Sequence, residues 1–328
     1  MLQAHVWTGR ALQPAALAVL EGLATVFVTS VGERNDWYAE ASTADVIIVA
    51  GETFVTGEVM DRIGSRLRII ARTGIGVDRI DLDAATLRGI QVVNTPDGPT
   101  ESTAEHAIAL LLNLCKGVMT GDRILRSGRP FPALSELTPG LEVSGSVLGL
   151  VGLGRIGSRV AAIAQVLGMK VIAFDPFITS ERANALGVDL IPSLVELLPR
   201  ADVVSLHCPS TPETYHIMNA ETLHLVRKGS YLVNVARGAL VDEAALFEAL
   251  RSGHLAGAAL DVFDPEPPKA NHPLFTLPNA ICTPHIGSHT AASVLRMQVM
   301  ACEQIASALR GERPTNLVNE AVWGHQRS

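Results

Sequence analysis

The stretch Ser146-Val-Leu-Gly-Leu-Val-Gly-Leu-Gly-Arg-Ile-Gly-Ser158 decides the fold. It reads as a strand, a glycine turn and the start of a helix. Gly152, Gly154 and Gly157 have the G-x-G-x-x-G spacing. In such a turn the first glycine lets the chain bend sharply after the strand. The second lets the backbone approach a pyrophosphate, and the third lets the helix pack close to the sheet. The helix N-terminus then offers unpaired N–H groups and the positive end of its dipole. In a chain with 28 glycines the spacing alone says little, so the context must carry it. Apolar Val147 to Val151 precede it and a helical pattern, Val160 to Leu167, follows. A second strand, Lys170 to Phe174, then ends at Asp175. A carboxylate about 20 residues past the glycines can bind both hydroxyls of an adenine ribose. The plainer reading of Asp175 is a turn former before Pro176.

The chain of 328 residues has room for two domains, and a hydrophobic content of 48% can fill two cores. A formal charge of −7, with no basic run, argues against a nucleic-acid partner. Cys115, Cys208, Cys282 and Cys302 are scattered without a C-x-x-C pair, as expected of reduced thiols in the cytoplasm. No H-x-x-H or HExxH pattern suggests a metal. No uncharged apolar run reaches membrane-spanning length, so neither a membrane segment nor a signal peptide is expected.

The first hundred residues alternate between helix and strand patterns. Pro14 to Glu21, Gly57 to Ile63 and Asp81 to Arg88 read as helices. Thr25 to Val28, Asp45 to Val49, Arg68 to Ala71 and Ile90 to Asn94 read as strands of a small, mostly parallel sheet. Thr95-Pro-Asp-Gly-Pro-Thr100 breaks the alternation as a domain crossing would. One long helix is expected from about Glu101 to Arg126, with Ser102 and Glu105 in capping-box spacing. An irregular, exposed arm is expected over Phe131 to Gly145. After the glycine turn come strands Val203 to Leu206, Tyr231 to Val235, Ala258 to Val262 and Ala280 to Thr283. Asp242 is placed to cap a helix through Arg251. An amphipathic helix, Ala291 to Leu309, and an extended tail end the chain. The pattern predicts an α/β protein. Its first unit ends at the crossing near Thr95–Thr100, and the glycine turn lies in the second.

Ligands of open α/β sheets sit beyond the carboxyl ends of the strands. Gly152, Asp175, Cys208, Arg237, Asp261 and His285 all fall at such ends. Arg237 is a permanent cation, Glu266 a carboxylate in a proline-rich loop, and histidine is the side chain that changes charge near neutral pH. Reduction of a 2-keto acid needs a cation for the carboxylate and a proton donor for the carbonyl oxygen. A carboxylate beside the histidine would orient its ring. Taken singly, each residue has a plain structural reading: an ion pair, a solvated loop charge, a buried ring. His106, inside a helix, and His207 are weaker candidates.

At these residues the chain resembles the NAD-dependent D-isomer-specific 2-hydroxyacid dehydrogenases. The resemblance runs through Thr73-Gly-Ile-Gly-Val-Asp78, Val93-Asn-Thr-Pro96, Thr103-Ala-Glu-His106, Gly152-Leu-Gly-Arg-Ile-Gly157 and His207-Cys-Pro209. It continues through Asn234-Val-Ala-Arg-Gly238, Ala259-Leu-Asp-Val-Phe263, Glu266-Pro267 and Thr283-Pro-His285. It implies Arg237 for the substrate carboxylate, His285 as acid/base and Glu266 bonded to it. It implies that the backbone amides of Gly74, Ile75 and Gly76 also hold the carboxylate. The cofactor would be NAD, with Arg155 and Ile156 over the pyrophosphate and Asp175 on the ribose. Asp261 would bond the nicotinamide carboxamide, and Cys208, Pro209, Ala236 and Gly287 would line the site. The resemblance implies a split first domain, residues 1–99 with 290–328, of smaller flavodoxin-like α/β form, and a Rossmann-type, doubly wound parallel sheet over residues 100–289. It implies a homodimer through the long helix and the arm. It also implies closure on substrate, with hinges near Pro96 and Gly287.

Asp175 is followed by Pro176-Phe177 rather than by an arginine, and a carboxylate repels a 2′-phosphate, so NAD is expected over NADP. The loop Ala50-Gly-Glu-Thr-Phe54 carries an acid and no base. Small acids of the glyoxylate or hydroxypyruvate type are therefore expected ahead of D-3-phosphoglycerate. A non-catalytic, NAD-sensing corepressor-like protein and a phosphite or formate dehydrogenase are the rival readings.

Overall fold

Strands such as Val-Ile-Ile-Val, apolar at every position, are stable only where helices cover both faces of their sheet. The computed structural model has two such sheets, and it describes residues 3–29, 37–51, 53–128, 131–133 and 137–327. The chain divides into two compact units, Met1–Pro99 with His289–Ser328, and Thr100–Ser288. The second passage thus lies one residue before the expected 289/290 boundary.

In the first unit β1 (Ala4–Thr8), β2 (Ala24–Val28), β3 (Val46–Val49), β4 (Ile69–Arg72) and β5 (Gln91–Val93) form one sheet. All pairs are parallel and the order is β2-β1-β3-β4-β5, the flavodoxin-like arrangement. On one face Trp7, Ile47, Ile70 and Val92 pack with Met60 and Ile63 of the helix Gly57–Ile63. On the other, Val6, Ile48, Ile69 and Val93 pack with Ala301, Cys302 and Ile305 of the helix Ala291–Leu309. The end of the chain therefore completes the first core. β1 escapes a reading by apolar runs because His5 and Thr8 interrupt it. It is nonetheless an interior strand, paired with both β2 and β3.

In the second unit β6 (Val147–Val151), β7 (Lys170–Phe174), β8 (Asp189–Leu190), β9 (Val203–Leu206), β10 (Tyr231–Asn234), β11 (Gly257–Leu260) and β12 (Ala280–Cys282) form a seven-stranded sheet. Its order is β12-β11-β10-β9-β6-β7-β8, again with every pair parallel. The winding reverses between β6 and β9, where ligands of such sheets collect. Leu148 and Leu150 face Ala107, Leu111, Val160 and Ala164, from the helices Thr100–Lys116 and Arg155–Val166. The opposite face packs on Leu197, Leu223 and Leu246. Gly149 admits this second layer: a Cβ there would stand 2.8 Å from Leu197 Cδ2 and 2.9 Å from Ala201 Cβ.

Two expectations change. The long helix is two, Thr100–Lys116 and Val118–Arg126, because Gly117 takes a left-handed conformation (φ 62°) between them. The first is buried against the sheet, whereas no residue of the second is buried. The capping box does not form: Ser102 already lies inside the helix, and its hydroxyl donates to Gly287 O at 2.8 Å. Of the arm, residues 131–133 and 137–145 carry no helix or strand, and Phe131 is 85% exposed. The arm's residues 134–136, and Glu52 in the Ala50–Phe54 loop, lie outside the described residues. Among the described residues no helix is long and apolar enough to cross a membrane.

Candidate active site

β6 delivers the glycine turn, and the three glycines are there for different reasons. Gly152 has φ 97°, and a Cβ on it would stand 2.7 Å from Cys208 N, at the end of β9. A Cβ on Gly157 would strike the Gly152 carbonyl oxygen. The packing of the protein itself therefore demands glycine at both places. Gly154 differs, since nothing lies within 4 Å of a Cβ built there. It is also the N-cap of the helix Arg155–Val166, with no side chain capping the first amides. Open space at a helix N-terminus with uncapped N–H groups fits a dinucleotide pyrophosphate. Arg155 is exposed and Ile156 half-buried beside it. Asp175, at the end of β7, accepts from Leu153 N at 2.8 Å and from Phe177 N at 2.9 Å. Its carboxylate is pinned to the glycine turn. Next to Gly152, burial pushes the Cys208 thiol up to about 11, which keeps it protonated and inert.

The structure brings Glu266 and His285 together. His285 Nδ1 meets Glu266 Oε1 at 2.6 Å, with the two side chains 40% and 25% exposed. His285 holds a left-handed backbone (φ 53°), its N–H shared between Asp261 O at 2.8 Å and Thr283 O at 3.1 Å. Arg237 follows β10. Fully buried Asn234 shapes its turn by donating to Arg237 O at 2.8 Å and accepting from Ala236 N at 3.0 Å. The Arg237 guanidinium donates to Ala236 O at 2.7 Å. Gly238, the next residue, lies so close to Phe263 that a Cβ would collide with the Phe263 carbonyl group. The arginine turn and the loop carrying Glu266 are thereby packed backbone to backbone. Pro209 is exposed, Ala236 half-buried and Gly287 buried at the same carboxyl edge.

Two of the expected site residues are hydrogen-bonded within the protein. Asp261 is 1% exposed, and both carboxylate oxygens are taken. Oδ1 accepts from Thr283 Oγ1 at 2.5 Å and Ile286 N at 2.9 Å, with His106 Nε2 at 3.4 Å; Oδ2 accepts from Gly287 N at 2.8 Å. Burial raises its pKa, but the hydrogen bonds from His106, Thr283, Ile286 and Gly287 outweigh burial and hold it below the usual carboxylate range. Asp261 anchors the Thr283–Gly287 loop. Gly74 likewise donates its N–H to Thr95 Oγ1 at 2.8 Å. The amides of Ile75 and Gly76 have no acceptor among the described residues. Arg72 holds that turn from beneath, donating to Thr73 O at 2.7 Å and Gly76 O at 3.1 Å.

Residues 108–287 match the D-isomer specific 2-hydroxyacid dehydrogenase, NAD binding domain. The chain belongs to the D-isomer specific 2-hydroxyacid dehydrogenase family. The match falls within the second unit, which is therefore its NAD-binding domain. The D-3-phosphoglycerate dehydrogenase of Methanocaldococcus jannaschii is 41% identical over 308 residues, covering 94% of this chain and 58% of that protein. The chain spans about half the length of the D-3-phosphoglycerate dehydrogenases it matches. The TT0316 protein of Thermus thermophilus superposes with TM-score 0.88 at 43% identity, covering 96% of this chain and 99% of that one. A glyoxylate reductase from Paecilomyes thermophila gives TM-score 0.85 at 28% identity, covering 98% and 99%.

For this family member, sequence reasoning passed over residues that hold the site without touching it. Asn234 stood in a quoted motif, but an asparagine in a strand gives no sign that it will fold back on the next turn. His106 was set aside because it lies in a helix; that helix carries it to Asp261 and to Thr283 Oγ1, 3.2 Å away. His207 is structural. Its Nε2 meets Ser205 Oγ at 2.8 Å, and burial pushes it down to about 4.

Proposed function

We propose that the protein transfers a hydride between NAD(H) and a D-2-hydroxy acid with its 2-keto partner. The His285–Glu266 pair carries this reading, because it stands at the carboxyl edge of the same sheet whose turn is open at Gly154. NAD(H), when bound, supplies or takes the hydride. The second unit is the nucleotide domain; the first, with the Ile75 and Gly76 amides, is the substrate domain. Arg237 binds the substrate carboxylate. With Nδ1 held by Glu266, His285 presents Nε2 to the reacting oxygen. In reduction it gives that oxygen a proton; in oxidation it takes one. Glu266 keeps the ring oriented and balances its charge when both nitrogens carry protons. The Asp175 carboxylate disfavours a 2′-phosphate, so NAD is the working cofactor. We also propose a homodimer, with exposed Val118, Leu125 and Phe131 as its apolar face; a monomer in sedimentation at micromolar concentration would overturn it.

The first-choice substrate is a small, unphosphorylated acid of the glyoxylate or hydroxypyruvate type. Ala50–Phe54 brings no lysine or arginine. Of the nearby cations, Arg72 bonds carbonyls of its own turn and Arg79 lies over the Phe54 ring at 4.7 Å. D-3-phosphoglycerate is the second reading, favoured by the names of the relatives at 40–42% identity. NADH and NADPH oxidation should be followed with glyoxylate, hydroxypyruvate and 3-phosphohydroxypyruvate. NADH with one of the first two is expected to be most efficient. Exclusive turnover of the phosphorylated acid establishes the second reading, equal use of NADPH removes the role given to Asp175, and no turnover at all removes the activity.

A further inference from the structure

The second unit contains another histidine–carboxylate pair, and it grips the loop that carries Glu266. Glu243 is the first residue of the helix Glu243–Arg251, whose cap is Asp242. Its Oε1 accepts from Asp264 N at 3.1 Å, and its Oε2 meets His272 Nε2 at 2.8 Å. Both side chains are only 15% exposed. His272 Nδ1 is buried without a hydrogen-bond partner among the described residues. The ring lies 5.7 Å from Phe263 and 5.2 Å from Phe275, centroid to centroid. A proton on Nδ1 would be a buried donor with no acceptor, so the pair is made with the proton on Nε2, donated to Glu243. One carboxylate thus takes the Asp264 amide on one oxygen and an oriented imidazole on the other. Asp264 stands two residues before Glu266, and its peptide is pressed against Gly238, next to Arg237.

We propose that Glu243 and His272 are a positioning pair, which sets Glu266 against His285 by holding the Phe263–Asp264 backbone. The effect on turnover rests on the acid/base reading of His285 and Glu266. Neither residue of the pair touches the reacting atoms, and both act through Glu266. His272→Phe suits the aromatic surroundings and deletes only the donor. His272→Gln puts an amide nitrogen close to where Nε2 stands and restores it.

Steady-state kinetics of the whole chain with its best 2-keto acid and NADH provide the test. His272→Phe is expected to lower kcat about tenfold, while KM and NADH affinity stay within about twofold. His272→Gln should recover most of that loss. In a Glu266→Gln background His272→Phe should have no further effect, because the path it acts through is already cut. Unchanged kcat in His272→Phe overturns the proposal, as does an equal loss in the Glu266→Gln background or no recovery in His272→Gln. If His272→Phe fails to bind NADH, Glu243→Gln takes its place, since its amide turns a donor toward Nε2; unchanged kcat there overturns the proposal equally. A readout without turnover separates failure of the pair from failure of the activity. Nitrogen-15 spectra should show a His285 Nδ1–H signal that shifts in His272→Phe; an unmoved signal refutes the pair whatever the enzyme reduces.

Discussion

One nitrogen of the His285 ring is committed to Glu266 Oε1, and in the proposed reaction the other faces the carbonyl oxygen. Removing the ring removes the proton path and little of the cofactor site. His285→Ala should lower kcat by about 10²–10⁴-fold and leave the NADH dissociation constant within about twofold, measured by fluorescence titration and steady-state rates. Near-normal rates would sink the acid/base assignment. Arg237→Ala should differ in kind, raising KM for the acid while lowering kcat, because a carboxylate clamp binds and orients together. These two residues and Glu266 are legible in the sequence as candidates, since few residue types can do the proposed work. Asp261 was legible as a strand-end carboxylate, but its hold on a loop was not: sequence does not say which donors reach it. Thr283, Ile286 and Gly287 reach it only because the loop after β12 folds back across the end of β11.

The glycine turn makes a sharper statement as an element than as a motif. Gly157 is glycine for the protein, whereas no contact of the protein demands glycine at Gly154, where the proposed pyrophosphate would lie. Gly157→Ala drives a methyl into the Gly152 carbonyl and should cost about 1–3 kcal/mol of stability, read from denaturant midpoints. Gly154→Ala should leave the midpoint nearly unchanged, since its φ of −73° suits alanine and the space is open. It should nonetheless weaken NADH binding by tenfold or more. Wild-type NADH affinity in Gly154→Ala would remove the pyrophosphate from this turn. The helix Ala291–Leu309 and the strands β7 and β9 match their sequence reading residue for residue, because their apolar periods are strong and their ends are marked. The break at Gly117 was hidden, since the apolar stripe of the first helix gives no warning that the next turn leaves the sheet.

Across the whole molecule the most perturbed histidine is His207, far below its ordinary value because burial penalises the charged ring. Between the folded value near 4 and the unfolded value near 6.5 the unfolded chain binds the extra proton. Stability is therefore full above about pH 6.5 and falls as pH drops toward 4, by on the order of 2–3 kcal/mol from this group. Denaturation midpoints from pH 7 to 4.5 should show the slope, and His207→Gln should flatten it; an equal slope in the variant would assign it to other groups. The sequence by itself determined two α/β units, the turn for a dinucleotide, and the residue types available at the strand ends. These follow from local facts: apolar period, glycine spacing and the few side chains that carry charge or protons. The tertiary structure decided the order of both sheets and the interior place of β1. It also decided which polar groups are spent on one another, as Asp261 is on the His285 loop, Gly74 on Thr95 and Glu243 on His272. A hydrogen bond between residues far apart in the chain depends on where two loops meet, and no local pattern encodes that meeting.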